Sequence, residues 1–300
     1  MLIAITGATG FLGRHIVNHL LAAGHGCRCW YRPASDREGF VDGGREIDWM
    51  EGQLNEPAST HDLVRGVDAV VHAALDRPGA GFRGAEGDLL AFAQTNIMGS
   101  LRLMWAARAA KVARFVFIST CAVHEVILED RPLDEAHPLW PTSHYGAHKA
   151  AIEKFVHSFG LGDQWPICAL RPTGIYGVAR PIEMSRWFKL VQQVAAGERI
   201  ESDRGGKEVH AADVAKAVDL LLRADAARVA GQAYNCYDRY IAESRVAEIA
   251  REISGSGSAM TPSNRGPKHQ IETGKLRELG MTFGGEALLR ETVAALVRAV

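Results

Sequence analysis

The sequence predicts an α/β fold: a parallel sheet doubly wound by helices, followed by a smaller C-terminal lobe. Three observations carry this. Short apolar runs alternate with amphipathic stretches through the first half of the chain, and strands covered on both faces read as such unbroken runs. A glycine-rich turn, Gly7-Ala8-Thr9-Gly10-Phe11-Leu12-Gly13, separates the first run from the first amphipathic stretch. The spacing of runs and stretches is that of right-handed βαβ units.

In chain order, Leu2–Ile5 is a buried strand, and Phe11–Ala23 is a helix with Ile16, Leu20 and Ala23 on one face. Cys27–Tyr31, Ile47–Met50, Ala69–Ala74, Phe115–Ser119 and Ile167–Leu170 are further strands. A long helix runs from about Asp88 to Ala110, with Leu89, Phe92, Ala93, Asn96 and Ile97 at helical spacing. The second half is less regular: Asp213–Arg223, Glu243–Ile253 and Glu286–Val300 read as helices, Ala233–Cys236 as a strand. Ser254–Pro267, rich in Gly, Ser and Pro, is expected to be a loop. Pro78–Gly87 is a loose connection, either a surface loop or a flap over a site.

Composition narrows the function classes. With 47% apolar and 23% charged residues in 300, disorder is excluded as the dominant state. A net charge of −1, from 34 basic and 35 acidic residues, argues against a nucleic-acid binder. No stretch approaches the ~18 apolar residues of a membrane span. The opening MLIAITGATG reads as a strand rather than a signal peptide. Cys27, Cys29, Cys121, Cys168 and Cys236 are scattered, odd in number and without a CxxC pair. They suggest neither a disulfide framework nor a zinc site, so a reducing, cytoplasmic setting is expected.

The glycine turn has a chemical reading. Glycines let the backbone approach a pyrophosphate, and the following helix offers free N–H groups and a partial positive charge. Its place between the first strand and first helix marks a Rossmann-type nucleotide site. In such sites an acid after the second strand binds the adenosine ribose. Here the run is Tyr31-Arg32-Pro33-Ala34-Ser35, and Arg32 suits a 2′-phosphate instead. NADP is therefore favoured over NAD, although Asp36 lies close enough to keep NAD open.

Tyr145 and Lys149 stand four apart, on one face of a helix. A phenol is too weak an acid for neutral pH, but a nearby ammonium would lower its pKa. Tyr145 would then exchange a proton with a substrate hydroxyl while hydride moves at carbon. Ser119-Thr120 closes the fifth strand, where ligands of open α/β sheets lie.

Together GATGFLG, VVHAA, Ser119-Thr120, YxxxK and Leu170-Arg171-Pro172-Thr173-Gly174-Ile175-Tyr176-Gly177 resemble the extended short-chain dehydrogenase/reductases, also called NAD-dependent epimerase/dehydratases. The likeness includes Val209-His210-Ala211-Ala212-Asp213 and Leu276-Arg277-Glu278-Leu279-Gly280. It implies a Rossmann-type domain from 1–172, rejoined by 208–238, and a substrate-binding lobe from 173–207 and 239–300. It implies that Gly7, Thr9, Gly10, Phe11, Leu12 and Gly13 hold pyrophosphate, and that Gln53 and Leu54 hold adenine. Gln53 replaces the usual aspartate, and its carbonyl can still accept from the adenine amine. Ala73, Ala74, Asn96, Pro172 and Thr173 are implied beside the nicotinamide, with Thr120, Tyr145 and Lys149 catalytic. Tyr145 and Lys149 also count among the cofactor contacts. The family commonly pairs as homodimers through helices equivalent to Asp88–Ala110 and Tyr145–Phe159. Ala106, Ala107, Ala109, Ala110, Ala150 and Ala151 suit such packing, or packing within one chain.

The departures matter. Sugar dehydratases of the family carry Thr-Asp-Glu where this chain has Thr120-Cys121-Ala122, which argues against a 4,6-dehydratase. Gly174 stands where nucleotide-sugar enzymes usually have asparagine, and Lys207 lies one residue off the expected arginine. Both weaken a nucleotide-diphosphate sugar as substrate. His124 and Glu125 replace the usual Tyr-Gly, so His124 either faces substrate or fills space. Arg180 and Arg186 either hold an anionic group or are solvated. Trp140, Met184 and Trp187 are wall or core. His72 is read as a hydrogen-bonded core histidine, and His144 with His148 are too few for a metal, so none is expected.

The reading is an NAD(P)-dependent enzyme that transfers hydride at a secondary alcohol or ketone of a sugar or sugar-like substrate. It is either an epimerase or a dehydrogenase/reductase. The alternatives are an NADPH-dependent reductase of a non-sugar ketone or aldehyde, and a non-catalytic dinucleotide-sensing regulator. Relatives of the last kind typically lose the Tyr or the Lys, and both are present.

Overall fold

The structure, a computed structural model, describes residues 1–41, 46–77, 84, 86–261 and 266–300. Most of the Pro78–Gly87 connection, and residues 262–265 of the Ser254–Pro267 loop, lie outside the described residues.

The chain divides into two compact units. The first comprises Met1–Pro172, Val214–Cys236 and Ile271–Met281. Its centre is a seven-stranded parallel sheet in the order β3-β2-β1-β4-β5-β6-β9. The strands are β1 (Leu2–Thr6), β2 (Gly26–Tyr31), β3 (Asp48–Glu51), β4 (Ala69–His72), β5 (Arg114–Ile118), β6 (Ile167–Pro172) and β9 (Gln232–Cys236). Interior strands such as β4 and β6 are buried along their whole length, as the unbroken apolar runs required. The order reverses between β1 and β4, and at such a switch the carboxyl ends of the strands form a crevice.

Helices cover this sheet: α1 (Phe11–Ala22), α2 (Pro57–Val64), α3 (Leu89–Ala93), α4 (Gly99–Ala109) and α5 (His144–His157), and two short ones, α8 (Ala226–Val229) and α10 (Gly274–Arg277), pack on β9. A single π-helical turn, Gln94–Met98, joins α3 to α4, so the long helix expected over Asp88–Ala110 is continuous but locally widened. Asp88 caps it, accepting from the Ala91 N–H at 2.7 Å. Val70, Leu103, Phe115, Phe117, Ile152 and Trp165 are among the residues of one apolar cluster in this unit.

The second unit comprises Thr173–Asp213, Tyr237–Gln270 and Thr282–Val300. It holds a three-stranded sheet of β7 (Gly174–Tyr176), β8 (Gly205–His210) and β10 (Arg239–Ala242), with β8 central, and the helices α6 (Phe188–Ala195), α9 (Glu243–Ser254) and α11 (Gly285–Val297). Its own core includes Tyr176, Val191, Ile241, Val246, Leu289 and Val293. Sequence reasoning found neither the small sheet nor α6. The linking α7 (Ala211–Arg223) starts two residues before its expected position.

Two boundaries differ from expectation, each for a hydrogen-bonding reason. Residues 208–213 belong to the second unit, because β8 pairs with β7 and β10. Ile271–Met281 belongs to the first. There Glu272 N–H donates to Leu133 O at 3.0 Å, and Lys275 Nζ reaches Gln232 Oε1 and Ala233 O at 2.7 and 3.0 Å.

Candidate active site

The glycine turn follows β1. Gly7 takes a left-handed conformation (φ +72°), and a Cβ there would stand 2.8 Å from the backbone of Ala73 and Ala74. A Cβ on Gly13 would fall on the Gly7 carbonyl. Gly10 N–H closes the turn on Gly7 O at 3.1 Å, and α1 then begins with no side-chain cap. Its first-turn N–H groups are thereby left for an anion, as a pyrophosphate needs. Arg14 fastens the turn from behind, donating to Thr9 O at 3.1 Å. Phe11 and Leu12, in the first turn of α1, are half-buried.

The loop after β4 is set by a relay of side chains. Ala74 N–H donates to Thr6 Oγ1, which lies 2.7 Å from His72 Nδ1. His72 Nε2 lies 2.7 Å from Ser100 Oγ, and that hydroxyl donates to Asn96 O. This assigns the Nε2–H tautomer to a neutral His72, whose burial holds its pKa down at about 3. The bland reading of His72 therefore stands, with a task attached: it anchors Ala73 and Ala74. Asn96 adds to this. Its amide bonds the N–H and carbonyl of Asp76 at 2.8 Å, and Phe92 O at 3.0 Å. Asn96 thus shapes the loop with its whole amide group.

After β2, Arg32 is exposed and 3.5 Å from Asp76. Ser35 Oγ accepts the Arg32 N–H, and the Arg37 guanidinium lies over the Tyr31 ring. Asp36 is engaged by Arg14 at 3.2 Å and by the Glu38 N–H. Beyond β3, Gln53 is exposed and donates to Glu56, while Leu54 is buried against Gly99.

Helix α5 lies along the carboxyl end of β5. Ser143 caps it, accepting from Gly146 N–H at 3.1 Å. The Glu125 carboxylate accepts from the backbone N–H and the hydroxyl of both Thr142 and Ser143. Glu86 accepts from the Tyr145 N–H at 3.1 Å. Two carboxylates at a helix N-terminus suit its dipole. Gly146 permits close approach, since a Cβ there would stand 2.6 Å from Ala122 O. Tyr145 is half-buried in the first turn, and buried Lys149 follows one turn later. Lys149 Nζ donates to Ile118 O at 2.8 Å and lies 4.6 Å from the Phe117 ring centre. Burial draws its pKa down to about 7, against the pull of Glu153. Thr120 lies two residues beyond β5, almost buried, with Oγ1 accepting from Ala122 N–H. His148 is buried edge-on to Phe92 and beside Tyr145, while His144 is exposed.

Glu153 was missed by sequence reasoning. It is fully buried and takes both Nε and Nη2 of buried Arg171, the latter at 2.6 Å. Ser119 Oγ also donates to it. Arg171 Nη1 reaches His124 Nε2 at 3.2 Å, and His124 Nδ1 lies 3.2 Å from Pro138 O. His124 is thus buried and neutral, its pKa held at about 4 by burial and by Arg171. The signal for Glu153 was present: Tyr145, Lys149 and Glu153 repeat at four-residue steps on one helical face.

Pro172 closes β6 in the first unit; Thr173, Gly174 and Arg180 belong to the second. Thr173 Oγ1 is buried without a partner among the described residues, Gly174 opens β7 and Arg180 is exposed. Met184 and, in the first unit, Trp140 are exposed, while Trp187 packs partly into the second core.

This fold and turn define a nicotinamide-dependent enzyme of the extended short-chain dehydrogenase/reductase class. Residues 3–236 match the model of the NAD dependent epimerase/dehydratase family, and the chain belongs to that family. It is 28% identical over 232 residues to the low-salt glycan biosynthesis protein Agl12 of Haloferax volcanii, covering 74% of this chain and 73% of the relative. A UDP-glucose 4-epimerase of Rhizobium leguminosarum bv. trifolii is 31% identical over 159 residues, 51% of this chain; the chain spans about half that relative's length, 45%. Among solved structures, a UDP-N-acetylglucosamine 4-epimerase from Methanobrevibacter ruminantium M1 superposes with a TM-score of 0.81 at 22% identity, covering 100% of this chain and 98% of that one. A dTDP-glucose 4,6-dehydratase from Streptomyces venezuelae superposes at 0.78 and 23% identity, covering 100% and 97%. The fold is therefore shared by epimerases and dehydratases alike and does not separate them. Among the described residues, no helix is long and apolar enough to cross a membrane.

Proposed function

We propose that this enzyme transfers hydride at a secondary alcohol or ketone of a sugar or sugar-like substrate, as an epimerase or a dehydrogenase/reductase. The observation that carries the reading is the docking of the first turns of α5 past the end of β5, with Gly146 against Ala122 O and Lys149 Nζ donating to Ile118 O, the two backbone positions that flank Thr120. The neighbouring strand β4 ends in the Ala73–Ala74 loop against Gly7. A nicotinamide, when bound, supplies or accepts the hydride. The chain supplies the rest. Gly7, Gly10, Gly13 and the start of α1 fit a pyrophosphate. Thr120 and Tyr145 hold the reacting oxygen, Tyr145 moves the proton, and Lys149 favours the phenolate by its charge. The test is turnover of sugars, polyols and small ketones with each nicotinamide, by wild type and Tyr145→Phe. Full turnover by the variant would overturn the assignment.

Dehydration is disfavoured by the chemistry after Thr120. Ala122 carries no ionisable proton, and the Cys121 thiol, pushed up to about 12 by burial, donates to Arg171 O. Neither serves as acid or base near neutral pH.

NADP is the favoured cofactor. Among the described residues the Arg32 side chain has only an exposed pairing with Asp76, a weak tie, whereas Asp36 is occupied by Arg14. Arg32→Ala is expected to raise KM for NADPH roughly 10–100-fold, the worth of a charge-assisted contact, and to leave KM for NADH unchanged. Equal effects on both would remove Arg32 from the cofactor site.

A cytoplasmic homodimer completes the reading. All five cysteines are free thiols, in line with a reducing compartment. Leu90, Met98 and Trp105 are exposed and lie at spacings of 8 and 7 along one side of α3–α4, an apolar stripe suited to a second copy. Ala106 and Ala107 pack within the chain's own core. Sedimentation at micromolar concentration is expected to give a dimer, and a clean monomer would reject it.

A further inference from the structure

Arg14, on α1, makes a set of contacts that the hydride chemistry does not explain. A dinucleotide site of this fold uses two loops around the adenosine end, the glycine turn for the pyrophosphate and the loop after the second strand for the ribose. Arg14 joins the two, with its side chain only 10% exposed. Nε donates to Thr9 O in the glycine turn at 3.1 Å, Nη1 to Glu38 O and Nη2 to Asp36 O. Nη2 also pairs with the Asp36 carboxylate at 3.2 Å. The guanidinium lies 4.9 Å from the Phe40 ring centre, and the Val41 N–H donates to Asn18 Oδ1 at 3.0 Å, so the far end of the loop is held on the same helix. At the near end Arg32 and Ser35 close a turn. Ser35 N–H donates to Arg32 O at 2.7 Å, and Arg32 N–H to Ser35 Oγ at 3.0 Å.

Two side chains of this loop, Asp36 and Arg32, suit opposite partners at the ribose 2′ position. A carboxylate accepts from the free hydroxyl of NAD and repels a phosphate, whereas a guanidinium takes the phosphate of NADP. Both Asp36 oxygens are engaged, Oδ2 by Arg14 and Oδ1 by the Glu38 N–H at 2.9 Å. To reach a ribose the carboxylate would have to leave both, and would take the counter-charge from a nearly buried guanidinium. Arg32, 67% exposed and 3.5 Å from an exposed Asp76, gives up little by turning to a phosphate. Arg14 itself is committed, since each of its three nitrogens already donates to a protein oxygen. We propose that Arg14 is a positioning residue for cofactor choice: by holding Asp36 and the 36–38 backbone on the glycine turn, it withholds the acid from the ribose and leaves the 2′ position to Arg32. That role rests on the NADP reading above and adds the residue that enforces it.

The test is binding, read by calorimetry as the Kd of NADP+ and of NAD+ for the full chain. Wild type is expected to prefer NADP+. Arg14→Lys keeps the charge but not the planar fork that spans three carbonyls. It is expected to cut the NADP+ preference about tenfold or more, the worth of a charge-assisted contact, by weakening NADP+ and tightening NAD+. Asp36→Asn, at a half-exposed side chain, is expected to leave the Kd for NAD+ unchanged. In the Arg14→Lys background the same change should remove the gain in NAD+ affinity, and that coupling is the signature of a released carboxylate. A residue that merely stiffened the glycine turn would weaken both nucleotides alike, because both carry the pyrophosphate. An unchanged preference in Arg14→Lys would therefore overturn the inference. So would a loss of NAD+ affinity in Asp36→Asn alone, a result that stays readable even where Arg14→Lys fails to fold. Failure of the NADP reading shows separately, as a wild type that binds NAD+ more tightly than NADP+.

Discussion

Tyr145→Phe is expected to lower kcat by roughly 10²–10⁴-fold, the usual contribution of a positioned proton donor, while the Kd for NADP(H) changes little. The phenol oxygen is the only atom removed. The ring keeps its place in the first turn of α5, beside His148, and the helix start stays tied down by Glu125, Glu86 and the Ser143 cap. A fall in kcat at steady cofactor affinity therefore isolates proton transfer from folding and from nucleotide binding. Lys149→Met should cost activity as well, but there cofactor affinity is expected to fall with it. A Tyr145→Phe variant within about twofold of wild type would exclude the proton-transfer role, given the size of that role elsewhere.

The largest expected effect on stability is at Arg171. Arg171→Met should destabilise the chain by about 3–5 kcal/mol, the cost of stranding one member of a buried ion pair. Glu153 is 0% exposed and Arg171 1%, so neither charge can turn to water. Without the guanidinium, Glu153 keeps only Ser119 Oγ as a donor from this network, and the His124 Nε2 and Glu135 O acceptors lose theirs. Measured by urea unfolding, the midpoint should drop while the slope stays constant. A loss below about 1 kcal/mol would place the pair in the range of surface salt bridges and contradict its burial. Replacing both residues with apolar ones of similar volume should recover much of the loss.

What the sequence disclosed follows from how each element is buried. β1, β4, β5 and β6 are covered on both faces, so their apolar runs are unbroken and easily read. β7 and β8 have three and six residues and include Gly174, Gly205 and Gly206; short glycine-bearing strands leave no two-residue pattern. Helix α6 did carry a signal, Phe188, Val191 and Val194 at three-residue steps, but its first residue follows a left-handed Trp187 that no propensity foretells. The return of Ile271–Met281 to the first unit depends on Lys275 and Glu272 meeting residues some 40 and 139 positions away, beyond the reach of any local pattern.

The site divides the same way. The glycine turn and the Tyr145–Lys149 step were legible because their spacing is local. The task of Glu153 required Arg171 from another strand, and that of His72 required Ser100 and Thr6. Glu125, read as a departure from the family pattern, anchors the start of α5.

The most direct measurement is isotope transfer. The wild type is incubated with NADPH carrying deuterium at nicotinamide C4 and a panel of keto sugars and small ketones, and the alcohol products are weighed by mass spectrometry. One deuterium per product molecule is expected, with Tyr145→Phe reduced to the level of the enzyme-free control. Product without the label, or label transferred equally well by the variant, would contradict hydride transfer governed by Tyr145.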